Sequence, residues 1–179
     1  FRMGENAIHE STNWPSQNFS ENDFYLHYDD SLKLSMPTYL NSEQTFVYNP
    51  NDPSPSIGGK IFCSNIANDS AGPADISQKV EARNDNLIFT TPEFSDSMHI
   101  EGSIKAKIYF SSDRKDTDLA LRLTDVYPDG RSIIIAESIK RLRFRHGYTV
   151  SDTAFMKADS VYAVNLGFDN IAYSYLPGH

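Results

Sequence analysis

The sequence predicts an all-β protein, an antiparallel β-sandwich or jelly roll. Three observations carry that expectation. Apolar residues recur with a period of two along much of the chain, and the segments between those runs are rich in Asn, Asp, Ser, Pro and Gly. Only residues 75–83 have the spacing of a short helical turn. Many short strands without alternating helices form sandwiches or jelly rolls rather than parallel sheets. A chain of 179 residues, 39% hydrophobic and 12% aromatic, can bury one sizeable core, so one domain is expected.

In chain order, short strands are expected at residues 24–28, 45–48 and 87–90. The clearest strand covers residues 99–110. Ile100, Ile104, Ala106, Ile108 and Phe110 share one face there, and His99, Glu101, Ser103, Lys105 and Lys107 share the other. Residues 118–127 repeat the pattern through Leu119, Leu121 and Leu123, and Pro128-Asp129-Gly130 then turns the chain. Residues 132–136 form a β-branched run, and 139–145 alternate Leu142 and Phe144 with Arg141, Arg143 and Arg145. Together these runs predict a meander. Two more strands, 160–168 and 171–176, are expected either side of Asp169-Asn170. The irregular stretch 49–79 is long for a structureless loop and is expected to pack against another domain.

Composition narrows the function. A formal net charge of −8 and a pI near 5.0 oppose a nucleic-acid partner, because such binding rests on Lys and Arg neutralising phosphates. No run approaches the roughly 20 apolar residues of a membrane helix. The chain reads as soluble with no membrane partner, and its compartment stays open between cytoplasm and export. Cys63 is alone, which removes internal disulfides and thiolate zinc sites. Asn18-Phe19-Ser20 and Asn68-Asp69-Ser70 match the glycosylation triplet, a pattern that chance produces often. The chain begins at Phe1 without signal-peptide features and reads as a piece of a longer protein.

Chemistry-bearing residues are scattered. Gly130-Arg131-Ser132-Ile133-Ile134 lacks the second glycine of a nucleophile elbow and leads into a strand, so Ser132 reads as a strand serine. His9, His27, His99, His146 and His179 show no metal spacing. Asp113, Asp116, Asp118, Asp125 and Asp129 offer hard oxygen ligands for Ca²⁺, but their spacing is that of turns, where Asp bonds nearby backbone. Lys140, Arg141, Arg143 and Arg145 read as a solvated or interdomain strand face without a phosphate loop. No catalytic residue, metal or cofactor is expected.

An ordered series of motifs carries a resemblance. It runs through Met3-Gly4-Glu5-Asn6, Trp14-Pro15 and Phe24-Tyr25-Leu26 to the proline-spaced loop from Tyr48 through Asn49, Pro50, Asn51, Asp52, Pro53, Ser54, Pro55, Ser56 and Ile57 to Gly58-Gly59. Ile100-Glu101-Gly102, Asp116-Thr117-Asp118, Leu123-Thr124-Asp125-Val126-Tyr127-Pro128-Asp129-Gly130-Arg131 and Pro177-Gly178-His179 continue it. This order resembles the C-terminal domain of the Xaa-Pro dipeptidyl-peptidase and cocaine-esterase family of serine hydrolases. Ala7 and Ile8 stand where relatives often carry a tryptophan.

The resemblance implies a galactose-binding-domain-like sandwich without catalytic residues, packed on the α/β-hydrolase domain of the same protein. It also implies a further strand after His179, supplied by a cleaved companion fragment or a second copy. Asn49, Pro50, Asp52, Pro53, Pro55, Gly58 and Gly59 are the candidate interdomain and pocket-wall residues, since prolines stiffen a loop and paired glycines allow close approach. A different reading is a carbohydrate-binding or adhesive sandwich, with Trp14, Tyr25, Tyr28, Tyr39, Tyr48, Tyr173 and Tyr175 as an aromatic platform.

Overall fold

The computed structural model describes residues 1–16, 19–39, 42–60 and 71–179. Cys63, Asn18 and the triplet at 68–70 lie outside the described residues. The described chain is dominated by strands: β1 (Tyr25–Leu26), β2 (Leu32–Lys33), β3 (Met98–Phe110), β4 (Asp118–Val126), β5 (Ser132–Arg141) and β6 (Tyr162–Tyr175). β1 pairs with β2, β3 with β6 and β4 with β5, each antiparallel. The predicted meander therefore holds for β4 and β5, while β3 takes its partner from the far end of the chain.

The two long ribbons lie face to face. Leu119 of β4 meets Val164 and Leu166 of β6, with Leu142 and Met156 closing that cluster. A second cluster joins Ile171, Tyr173 and Tyr175 of β6 to Ile135 and Ala136 of β5 and to Met98, Ile100 and Ile104 of β3. Each fully buried aliphatic side chain here contributes roughly 1.5–3 kcal/mol of transfer free energy. The period-two pattern of β3 behaves as expected, with Lys105 and Lys107 exposed and Ile104, Ala106 and Ile108 turned inward.

Two bulges adjust what each strand delivers. Between Leu123 and Thr124 of β4 the facing strand slips by one, from Ala136 to Ile134. The extra residue lets β5 send Ile134 to Ile76 and Val80, and send Ile135 and Ala136 to the tyrosine cluster. In β6 a similar slip opposite Ser103 and Lys105 absorbs Phe168 and Asp169. The expected break at Asp169-Asn170 is thus a bulge inside one 14-residue strand.

Other expectations are corrected. The expected strand at 24–28 shrinks to two residues, and 45–48 has no strand. In 87–90, Thr90 alone makes a bridge, with Ser31. The alternation over 139–145 does not stay extended: β5 ends at Arg141, and Leu142–Phe144 forms a 3₁₀ turn. Burial of Leu142 and the 2.9 Å bond from its N–H to Thr117 O pull that turn over the start of β4. The helical expectation at 75–83 becomes one π-turn, Ser77–Glu81, anchored by Ile76 and Val80. Part of the stretch expected to pack elsewhere packs on this chain itself, because Ile57 and Ala74 close over Ile76, Val80 and Ile134.

The opening segment is fastened to β3 and β6. Met3 N–H donates to Ala172 O at 3.0 Å, and Ser174 N–H donates to Met3 O at 2.9 Å. Glu101, predicted on the solvent face of β3, is instead a buried acceptor for Arg2 at 3.3 Å and for Ser16 N–H at 3.0 Å. Pro15, after a cis peptide bond, covers Gly102, where a Cβ would approach its ring to 2.9 Å.

Candidate functional site

The proline-spaced loop divides into an outward half and an anchored half. Asn49, Pro50, Asn51, Asp52 and Pro53 are exposed, and Ser54 and Pro55 are half-buried. Asn49 organises the turn, since its side-chain oxygen accepts the Asn51 N–H at 3.0 Å and its carbonyl accepts the Asp52 N–H at 3.1 Å.

Arg83 then ties the loop to the segment after the π-turn. Its Nε and one terminal nitrogen each donate to Asp85 at 2.8 Å, and the same terminal nitrogen donates to Asp52 O at 2.7 Å and Oδ2 at 3.2 Å. The planar fork of arginine is suited to such bidentate work. Hydrogen bonds that the guanidinium donates to Asp85 first, and then to Asp52, push its pKa above the usual value. The Arg83 hydrogen bonds in turn hold the Asp85 carboxyl below the ordinary carboxylate range.

Downstream, Arg122 reaches Pro55 O at 3.4 Å, and Gly59 exchanges two backbone bonds with Gly72 at 2.8 and 2.9 Å. Glu137 caps the end of the loop by accepting the Lys60 N–H at 2.8 Å. The two glycines are there for space and backbone. Gly58 is buried at φ +65°, where a Cβ would lie 2.7 Å from Gly72 O and 2.9 Å from Ile134 Cγ2. A Cβ on Gly59 would strike the Glu137 carboxylate.

The other singled-out residues have structural partners. Ser132 is buried, and its hydroxyl donates to Glu81 at 2.7 Å. Asp113 pairs with Arg114, Asp116 with Arg143, Asp118 with Arg141 and Asp129 with Arg131. Arg141 also lies 3.7 Å from Asp116, so these four carboxylates are each met by an arginine rather than gathered around a shared cavity. Among the described residues, no three His, Cys, Asp or Glu side chains converge as metal ligands would. Arg141 and Arg143 are drawn into the aspartate pairs, and Arg145 lies over the Tyr162 ring while bonding Leu142 O at 3.1 Å. Lys140 is half-buried in β5. Of the histidines, His9 meets Glu5 at 2.6 Å, His27 meets Ser35 O at 2.9 Å, His99 meets Ser174 at 2.6 Å and His146 is exposed.

Sequence reasoning missed one network. Asp125, 1% exposed, accepts the Tyr173 hydroxyl at 2.7 Å and meets Nδ1 of His179 at 2.8 Å. Burial first, and then the Asp125 contact, raise the Tyr173 pKa well above its ordinary value. Tyr127 lies against the His179 ring at 4.3 Å, and Arg131 covers Tyr127. An aspartate inside the otherwise apolar alternation of β4 was the available signal. Tyr173 and Tyr175 are core residues and drop out of the aromatic platform, leaving Trp14, Tyr28, Tyr39 and Tyr48 exposed.

Residues 1–179 match the family described as the X-Pro dipeptidyl-peptidase C-terminal non-catalytic domain. The chain belongs to that family. As a member of this non-catalytic X-Pro dipeptidyl-peptidase domain family, it is 32% identical over 187 residues to cocaine esterase from Rhodococcus sp. (strain MB1 Bresler). That alignment covers 100% of this chain and 32% of the esterase. The aminopeptidase of the marine sediment archaeon Thaumarchaeota archaeon superposes with a TM-score of 0.88 at 24% identity, over 99% of this chain and 31% of that one. A selenomethionine-labelled α-amino acid ester hydrolase gives 0.74 at 20% identity, over 87% and 27%. At those identities the structural matches establish the fold, and the chain spans about a third of the length of these relatives.

Proposed function

We propose that residues 1–179 are a single C-terminal accessory domain of a larger serine hydrolase. In this reading the domain packs on the α/β-hydrolase domain of the same protein, and the loop of Asn49, Pro50, Asp52, Pro53, Pro55, Gly58 and Gly59 contributes to that contact and to the wall of the substrate pocket. The observation that carries it is the uncovered apolar surface beside the loop. Tyr39 is 80% and Val47 87% exposed, and Leu34, Met36, Phe46 and Tyr48 are exposed with them. So many large apolar side chains in one segment mark a surface meant to be covered. The anchored half of the loop is compatible with the role, because a rigid mount lets the outward half meet a partner without ordering cost. In the same reading the reaction of the whole protein is hydrolysis of an ester, an amide or an Xaa-Pro peptide by an activated serine outside this chain.

A fluorophosphonate probe applied to the full-length protein, followed by peptide mapping, tests the assignment. The probe is expected on a serine outside residues 1–179. An adduct on Ser132, or no labelling in a protein that still hydrolyses its substrate, overturns it.

A further inference from the structure

A groove beside the loop has a composition that the accessory-domain reading leaves unused. It is an open groove of about 300 Å³ lined by Asp30, Glu81, Arg83, Asn86, Leu87, Ile88 and Thr90. Three chain segments build it, and they are bonded to one another. Leu32 N–H donates to Thr90 O and Thr90 N–H to Asp30 O, both at 2.9 Å. Gln44 donates to Asp30 Oδ1 at 2.7 Å and to Tyr28 O at 2.9 Å. Arg83 closes the far side through Asp52. The groove is therefore a fixed feature of this fold.

Its charges are unbalanced. Arg83, the cation in the lining, already serves Asp85 and Asp52. Glu81 uses one oxygen for Ser132 and Asp30 one for Gln44, which leaves an acceptor oxygen on each. Leu87 and Ile88, in the same lining, present exposed aliphatic surface. A lining that combines aliphatic surface with carboxylates suits a long side chain with an aliphatic stem and a cationic head.

We infer that this groove receives a lysine or arginine side chain of the α/β-hydrolase domain of the same protein, with its stem along Leu87 and Ile88 and its head between Asp30 and Glu81. The inference rests on the accessory-domain reading and adds the contact that sets the register of docking. Continuity supports it: Arg83 of the groove lining bonds directly to Asp52 of the outward half of the loop, so the two features adjoin and one partner surface can cover both. A free metal ion is a poor occupant, since the apolar wall offers it no ligand.

Hydroxyl-radical footprinting of the full-length protein tests this. Leu87 and Ile88 are expected to be protected, while Val150 and Tyr148, 94% and 75% exposed and outside the groove lining, label freely. Asp30→Asn keeps the acceptor for Gln44 and tolerates the φ of +60° at this position, so it removes charge and little else. It should raise labelling of Leu87 and Ile88 by roughly threefold or more, and Asp30→Lys should raise it further, as expected when one member of a desolvated charge pair is lost. If Tyr39 and Val47 are protected but Leu87 and Ile88 are not, the accessory reading stands and the groove contact is overturned. If all of them label as fast as Val150, both readings fall. Protection unchanged by Asp30→Lys excludes a basic occupant, and protection that vanishes on dilution assigns the groove to a second copy of the protein.

Discussion

At Gly58 the left-handed backbone and the 2.7 Å approach a methyl would make to Gly72 O act together. Gly58→Ala combines backbone strain with overpacking and should cost about 2–4 kcal/mol, read as a shift in the urea midpoint. Gly130 provides the contrast. Its φ is +87° but nothing lies within 4 Å of an added Cβ, so Gly130→Ala should cost only about 1–2 kcal/mol. Equal losses at both sites would show that the tight packing at Gly58 is not what matters. The buried carboxyl of Asp125 supplies a second residue-scale prediction. Tyr173→Phe removes its 2.7 Å donor and leaves an oxygen buried without that bond, so stability should drop by about 1–3 kcal/mol. The fold should be kept, because the ring still fills the cluster of Ile171 and Tyr175.

Among the elements, the π-turn shows how side-chain polarity joins local structure to the sheets. Asp75 accepts the N–H groups of Ser77 at 3.0 Å and of Ser132 at 3.1 Å, clamping the turn to the start of β5. Backbone and hydroxyl hydrogen bonds from Ser77, followed by the Ser132 N–H, lower the Asp75 carboxyl below its ordinary 3.8. A carboxyl depressed in the folded state binds protons more weakly there than when unfolded. Its contribution is therefore complete above the unfolded value and is lost as pH falls through the folded one. Unfolding midpoints measured from pH 6 down to pH 3 should decline, and Asp75→Asn should flatten part of that slope. An identical slope in the variant would show that other carboxylates account for it. The same elements explain what the sequence disclosed. β3 and β4 were legible because each buries one face and so must alternate. The alternation across Leu142 and Phe144 was misleading, because the chain bends after Arg141 while still burying Leu142, and hydrophobic spacing records burial rather than backbone angle. Asp169-Asn170 looked like a turn because a bulge and a turn favour the same polar residues. The Asp52–Arg83 and Asp125–His179 pairs join positions 31 and 54 residues apart, and no local pattern specifies such contacts.

For the whole molecule, the accessory reading separates two quantities that the outward half of the loop should affect differently. The Asp52–Arg83 ion pair is largely solvent-facing, with the Asp52 side chain 71% exposed. Exposed pairs of this kind contribute about 0–1 kcal/mol to folding. Asp52→Ala in the full-length protein should therefore leave this domain's unfolding midpoint nearly unchanged. It removes the carboxylate contacts of the outward half with Arg83, which keeps its bonds to the Asp52 carbonyl and to Asp85. If that half forms pocket wall, KM should rise with little change in kcat, because ground state and transition state lose the same contact. If it only docks the domains, the temperature at which they separate should fall while KM stays constant. Pro53→Ala should act in the same direction by loosening the exposed backbone. The loop has no part in either task if both variants leave KM and interdomain stability untouched. A loss of domain stability as large as that from Gly58→Ala would instead assign the outward half to this domain's own packing, and the partner contact would then have to lie at Tyr39 and Val47.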